Sequence, residues 1–225
     1  MTKEIKELLL EIANCPIRNS FVECETIKRV QLNNSTFQCA EAWNGDIASA
    51  EVLFISSNPS FDKDETEKLK NPYPNIQKAK EEEFIDFFKN RFSNTEWKDY
   101  PKFWKRIAKF TTFITEYKNK DKKEFFKESV ASTEIVHCKS TNEIGVKESC
   151  DRCFDLWLKK ILVKFAGKYI ILVGNFACER FLAIKKIAKG KIIITTQHPN
   201  SRIKGNTDKV RQESFCEQIK NQTGI

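Results

Sequence analysis

Two short segments place polar side chains and a proline directly behind an apolar run. They are Leu53-Phe54-Ile55-Ser56-Ser57-Asn58-Pro59-Ser60 and Ile192-Ile193-Ile194-Thr195-Thr196-Gln197-His198-Pro199-Asn200-Ser201. They carry Asn58 and His198, the latter one of two histidines in the chain. Taken singly, either residue could simply cap a turn. If both apolar runs are strands of one parallel sheet, their tips share a rim, and ligand sites in such sheets lie beyond the carboxyl ends of the strands.

The rest of the chain supplies elements that can hold such a rim. Residues 3–14 read as a helix with Ile5, Leu8, Leu9 and Ile12 on one face. A polar, irregular stretch then runs from Cys15 to about Ala50, and residues 51–57 form a short buried strand that Pro59 ends. From Thr66 to about Tyr117 the text is helical and rich in Phe, and helical spacing predicts that most of these aromatics are core. Thereafter strands over 133–137, 169–173 and 191–196 alternate with helices over 149–165, 175–188 and 207–222, while the charges of 118–123 read as a solvated loop. This βαβ rhythm predicts a single α/β domain over 1–225, a three-layer sandwich with a central, mostly parallel four-stranded sheet. Residues 1–50 would supply a helix and an irregular segment packed on it.

Composition narrows the chemistry. Among 225 residues, 39 Lys and Arg against 31 Asp and Glu leave a formal charge of +8, which fits a polyanionic partner. Neither HExxH, GxGxxG nor GxxxxGK[ST] occurs, so those zinc, dinucleotide and phosphate-loop chemistries are not indicated. No apolar run reaches the roughly 18 residues that would span a bilayer, and MTKEIKELLLEIANC reads as an amphipathic helix rather than a signal peptide. The expectation is a cytoplasmic protein with no membrane partner, monomeric, whose eight cysteines are buried thiols, metal ligands or both.

The two segments, in this order, resemble the signature motifs of the uracil-DNA glycosylase superfamily, a strand ending in Gly-x-Asn-Pro-Gly and a later one ending in His-Pro-Ser. Thr133-Glu134-Ile135-Val136-His137-Cys138 stands where that superfamily has its middle strand, and Ile170-Ile171-Leu172-Val173-Gly174-Asn175 resembles a later one. The likeness covers roughly residues 15 to 215. Ser56 and Ser60 stand where many relatives have glycine.

The resemblance implies a monofunctional DNA glycosylase that flips a pyrimidine out of the duplex and hydrolyses its N-glycosidic bond, leaving an abasic site. Asn58 would orient the water and His198 would donate to the pyrimidine O2, with Ser57 in the base pocket. Phe61, or else Tyr73, would stack on the base unless Phe61 is plain core. Neither motif carries a Lys for a Schiff base. Glu134 stands where many uracil-directed relatives have an Asn. A carboxylate only accepts hydrogen bonds, so it would oppose uracil O4 and favour an amino-bearing pyrimidine such as a modified cytosine of phage DNA; alternatively Glu134 pairs with a lysine away from the pocket. Repair and antiviral defence both stay open as roles. Asn200, Ser201, Arg202, Ile203 and Lys204 follow the second motif, with Arg202 or Ile203 as a minor-groove wedge and Lys204, Lys209 and Arg211 as phosphate contacts. An inactive DNA-binding module of the same fold is the alternative. A zinc-dependent deaminase is disfavoured, because no His-x-Glu precedes a Pro-Cys-x-x-Cys.

Catalysis of this kind needs no cofactor. Some branches of the superfamily hold a structural [4Fe-4S] cluster, and Cys15, Cys138 and Cys153 resemble three of its ligands. Cys24, Cys39 or Cys150 would complete the set, with Cys24 the favoured fourth. A zinc site from His137, Cys138, Cys150 and Cys153 is the competing reading. Cys178 and Cys216 fall in helical text and are expected as packed thiols.

Overall fold

The apolar runs form one four-stranded sheet in the computed structural model, which describes residues 1–32, 40–59, 80–201, 205 and 207–224. β1 (Val52–Ser56), β2 (Val130–Glu134), β3 (Tyr169–Val173) and β4 (Ile192–Thr196) lie in the order β2-β1-β3-β4, and each neighbouring pair is parallel. Runs such as YIILV lack polar alternation because both faces of the sheet are covered. The pleat sends Leu53, Ile55, Ile170, Leu172 and Ile193 to one core and Val52, Phe54, Tyr169, Ile171 and Ile194 to the other.

Among the described residues the helices used below are α1 (Lys3–Arg18), α2 (Glu25–Leu32), α3 (Glu81–Lys89), α4 (Lys102–Phe110), α5 (Lys122–Ser129), α6 (Val146–Cys153), α7 (Asn175–Glu179), α8 (Phe181–Ile187) and α9 (Asp208–Thr223), and further helices cover Arg91–Asn94 and Lys159–Lys164. Ile5, Leu8, Leu9 and Ile12 of α1 pack on the first face with Ile27 of α2, Phe88 of α3, Val146 of α6 and Ile184 of α8. Ile107 and Phe110 of α4, Phe125 and Phe126 of α5 and Phe215 of α9 cover the second face. The result is a three-layer α/β sandwich. Among the described residues no helix is long and apolar enough to cross a membrane.

Both outer strands are sealed by other parts of the chain. Beside β2, Asn44 forms an antiparallel bridge with Ser132, its N–H donating to the Ser132 carbonyl at 2.7 Å and its carbonyl accepting from the Ser132 N–H at 2.9 Å. The turn there needs Gly45, whose φ is +90° and whose added Cβ would lie 2.4 Å from the Val130 carbonyl oxygen. Beside β4, Gln218 and Gln222 of α9 imitate a neighbouring strand. Gln218 accepts from Thr195 N–H at 2.7 Å and donates to its carbonyl at 3.0 Å; Gln222 does the same for Ile193 at 3.0 and 2.7 Å. An open strand edge invites pairing with another chain, and these contacts remove it.

Several boundaries differ from those read in the sequence. The stretch after Cys15 is not irregular throughout: α1 continues to Arg18, and a turn at Val22–Cys24 leads into α2. β2 lies three residues earlier than expected, because α5, capped by the Asp121 carboxylate at Lys123 N–H and Glu124 N–H, delivers Val130 opposite Val52. Glu134 thus becomes the last strand residue, level with Ser56, and His137 and Cys138 follow the strand rather than alternate along it. The helix expected over 149–165 begins at Val146 and carries a π turn at Phe154–Leu158, and that over 175–188 breaks at Arg180. The charges of 118–123 are exposed as expected, although Lys122 already opens α5. Of the Phe-rich text, Phe84, Phe88, Phe92 and Phe110 are buried.

Candidate active site

Past the carboxyl ends of β1 and β2 the two chain segments stay paired. Ile135 and Val136 donate to the carbonyls of Ser56 and Ser57 at 2.9 Å each, and Ser140 donates to that of Pro59 at 3.2 Å. This pairing turns the Asn58 side chain toward a cavity of about 450 Å³, lined also by Ser57, Phe103, Trp104, Glu134, Glu143, His198 and Asn200. Such a volume falls within the range of small-molecule sites. The first motif, Glu134 and the second motif therefore meet at one rim. Phe103 and Trp104 are half-buried walls of it rather than core.

Asn58 Nδ2 donates to the carbonyls of Pro59 at 2.8 Å and Ser140 at 3.4 Å, which leaves Oδ1 as the acceptor end. His198 stacks on Phe103 with ring centroids 5.3 Å apart and planes 19° apart. Its Nδ1 accepts the Asn200 backbone N–H at 3.2 Å. An acceptor at Nδ1 selects the tautomer with its proton on Nε2, so the other nitrogen is a donor. Burial pushes the imidazole pKa down, the charges of Arg106 and Arg211 push the same way, and only Glu143 opposes them. The ring is therefore held neutral.

The floor of the cavity is a set of buried charges that sequence reading did not find. Glu41 accepts from Arg91 at 2.9 Å, Lys139 at 2.9 Å and Asn44 at 3.2 Å, and all four are buried. The Arg91 guanidinium also lies 4.8 Å from the Trp104 ring centroid and 5.3 Å from that of Phe87. Glu134 is buried beside this group, and its Oε2 has no hydrogen-bond partner among the described residues. Desolvation first and the Glu41 charge second push its carboxyl well above the usual range, against the opposing charges of Arg91 and Lys139. That shift favours the protonated form, in which the carboxyl offers one donor and one acceptor instead of acceptors alone. Glu41 and Asn44 reach the floor because residues 40–47 run along the edge of β2, and nothing in their local sequence signals that placement.

Three further rim residues were also missed. Glu143 Oε1 accepts from Ser57 Oγ at 2.6 Å. Asn142 and Glu143 have φ of 52° and 58°, the only described non-glycine residues with positive φ. Held backbone of this kind clusters at functional sites. Arg106 of α4 hydrogen-bonds to Asn200 Oδ1 at the exposed side of the cavity.

Of the expected DNA contacts, Asn200 and Ser201 form the turn after His198, Ser201 N–H donating to the His198 carbonyl at 2.8 Å. Arg202, Ile203, Lys204, Phe61 and Tyr73 lie outside the described residues. Lys209 is exposed, but Arg211 is not a free phosphate contact: its side chain is largely buried over the Phe110 ring and pairs with Asp208.

The four cysteines of the expected cluster converge on the first face. Cys24 and Cys153 share a hydrogen bond that brings the Cys24 thiol down to about 7 and, with burial, raises that of Cys153. Cys138 acts electrostatically on Cys153, and Cys24 on Cys15, which also receives Asn19 Nδ2 at 3.5 Å. Among the described residues no group of three or more His, Cys, Asp or Glu side chains is placed to hold a metal ion. His137 Nδ1 is bonded to the Glu41 carbonyl, and Cys150 takes a hydrogen bond from Arg180 instead. Four thiols are the donor chemistry that an iron–sulfur cluster takes. Cys178 is half-buried, whereas Cys216 is exposed and not a packed thiol. The chain matches no protein-family model and no curated protein.

Proposed function

We propose that this protein is a monofunctional DNA glycosylase of the uracil-DNA glycosylase type. The carrying observation is that Asn58 and His198, 140 positions apart in sequence, line one cavity at the carboxyl rim of a parallel sheet, with Glu134 at its floor. A flipped pyrimidine would enter this cavity. As the glycosidic bond breaks, Asn58 Oδ1 orients a water and His198 Nε2–H donates to the base oxygen that gains charge, an interaction stronger in the transition state than before it.

Glu134 broadens the base that can be read. In the protonated form that its burial favours, the carboxyl can donate to a C4 keto group and accept from N3–H, or accept from a C4 amine and donate to N3. Uracil and cytosine derivatives both satisfy it, so modified cytosine is one candidate rather than the sole one. Cys15, Cys24, Cys138 and Cys153 would hold a structural iron–sulfur cluster that takes no part in the chemistry, and iron analysis of anaerobically purified protein tests it. A cytoplasmic, monomeric protein acting on DNA is the accompanying reading. The +8 charge supports the polyanionic partner.

The test is incubation with duplexes bearing uracil and a panel of modified cytosines, with detection of abasic sites. Release of a base by the natural protein and its loss in Asn58→Ala supports the reading. DNA binding without base release, at any member of the panel, assigns the fold to an inactive binding module.

A further inference from the structure

An amide can orient a water but cannot take its proton at neutral pH, so Asn58 leaves the proposed reaction without a base. The neighbouring side chains supply one. Ser57 Oγ lies 2.6 Å from Glu143 Oε1 and 3.4 Å from Asn58 Oδ1. A carboxylate only accepts, so in the short contact the serine hydroxyl is the donor. Its proton therefore points away from Asn58 and its lone pairs remain open on the side of the cavity. A water held by Asn58 Oδ1 can donate its second hydrogen to Ser57 Oγ, and the donor direction then runs from water to Ser57 to Glu143.

Two independent features say that Glu143 is placed there for a purpose. It stands on the carboxyl rim, where the chain would meet DNA, and a carboxylate there opposes a polyanion. Its backbone is also held at positive φ together with Asn142, a conformation unfavourable for a residue with an ordinary side chain. The loop that carries it is tied to the first motif: Ser140 N–H bonds to the Pro59 carbonyl, Ser140 Oγ donates to that of Ile144 at 2.6 Å, and Asn58 Nδ2 reaches that of Ser140.

We propose that Glu143, acting through Ser57, receives the proton of the water that attacks the sugar. The inference rests on the glycosylase reading and goes beyond it. The water oxygen bonds to C1′ while the C1′–N bond breaks and its electron pair leaves on the base, beside His198 Nε2–H. The water proton passes to Ser57 Oγ as the serine proton passes to Glu143 Oε1. After release the base anion takes a proton from solvent, and Glu143 returns its own to solvent.

Single-turnover base release from the duplex that the natural protein cleaves is compared across pH for Glu143→Gln, Glu143→Ala and Ser57→Ala. Loss of a general base lowers the rate about 100-fold or more. Glu143→Gln, nearly isosteric, should show that loss and abolish the acidic limb of the profile. Binding to a duplex with a cleavage-resistant 2′-fluoro sugar should stay within about twofold of the natural protein or tighten slightly, as removal of an exposed rim charge requires. Added formate should restore part of the rate of Glu143→Ala, an effect that a purely structural role would not produce. Base release by the natural protein with an unaltered rate and acidic limb in Glu143→Gln overturns the relay alone. No base release from any duplex overturns the glycosylase reading and the relay together.

Discussion

The floor and the rim of the cavity are built on opposite principles. On the floor, Glu41, Arg91, Lys139 and Asn44 are buried and mutually bonded, so each charge has a fixed partner. At the rim, Asn58, Ser57 and His198 are only partly buried, Glu143 is exposed, and all four line the cavity. A satisfied buried network holds shape, because removing any member strands another charge in a low dielectric. A partly open group has unused hydrogen-bonding capacity that a substrate can take. Glu134 sits between the two regimes, buried like the floor yet with an unpartnered oxygen like the rim.

The sharpest way to break this contrast is to cut the floor. Arg91→Ala should cost about 3–5 kcal/mol, as expected when one member of a buried ion pair is removed, read by urea unfolding. A loss near zero would deny the floor its structural role. At the rim, His198→Ala should change unfolding free energy by less than about 0.5 kcal/mol, yet lower base release by about 100-fold.

Glu134→Gln sharpens the intermediate case. The folded-state pKa of Glu134 is raised, so the native state holds its proton where the unfolded chain has lost it. Stability from this group is present below the unfolded value of 4.5 and declines as pH rises toward the folded value. The glutamine variant has no such decline, and its melting temperature should gain on that of the natural protein as pH is raised from mildly acidic to mildly alkaline. A constant difference would show Glu134 ionised. The smallest effect should come from Phe103→Ala. Exposing the stacked face of His198 relieves its desolvation and moves its pKa up toward 6.5, which proton NMR of a chain with two histidines can follow directly.

Much of this architecture is legible in the amino-acid sequence. Apolar runs of four to five residues bounded by Pro, Gly and polar clusters mark β1, β3 and β4 nearly to the residue. β2 departs from its expected place because Ile135-Val136 look more strand-like than Val130-Ala131, while the pairing is decided by where α5 ends. Asn58 and His198 are visible because the polypeptide itself carries them from strand end to rim within a few residues. Glu41, Arg91 and Lys139 are not, since their partners lie 50 or more positions away and no local pattern records such a meeting.

What the sequence determined alone was the fold class and the two motif tips, because hydrophobic period and proline act over a few residues. Only the tertiary structure decided the upward shift of the Glu134 carboxyl, the downward shift of the His198 imidazole and the reach of Glu143 to Ser57. Desolvation and hydrogen-bond direction depend on every neighbour in space, and those neighbours are assembled only when residues 40–47, α3, α4 and the loop after β2 close around one cavity.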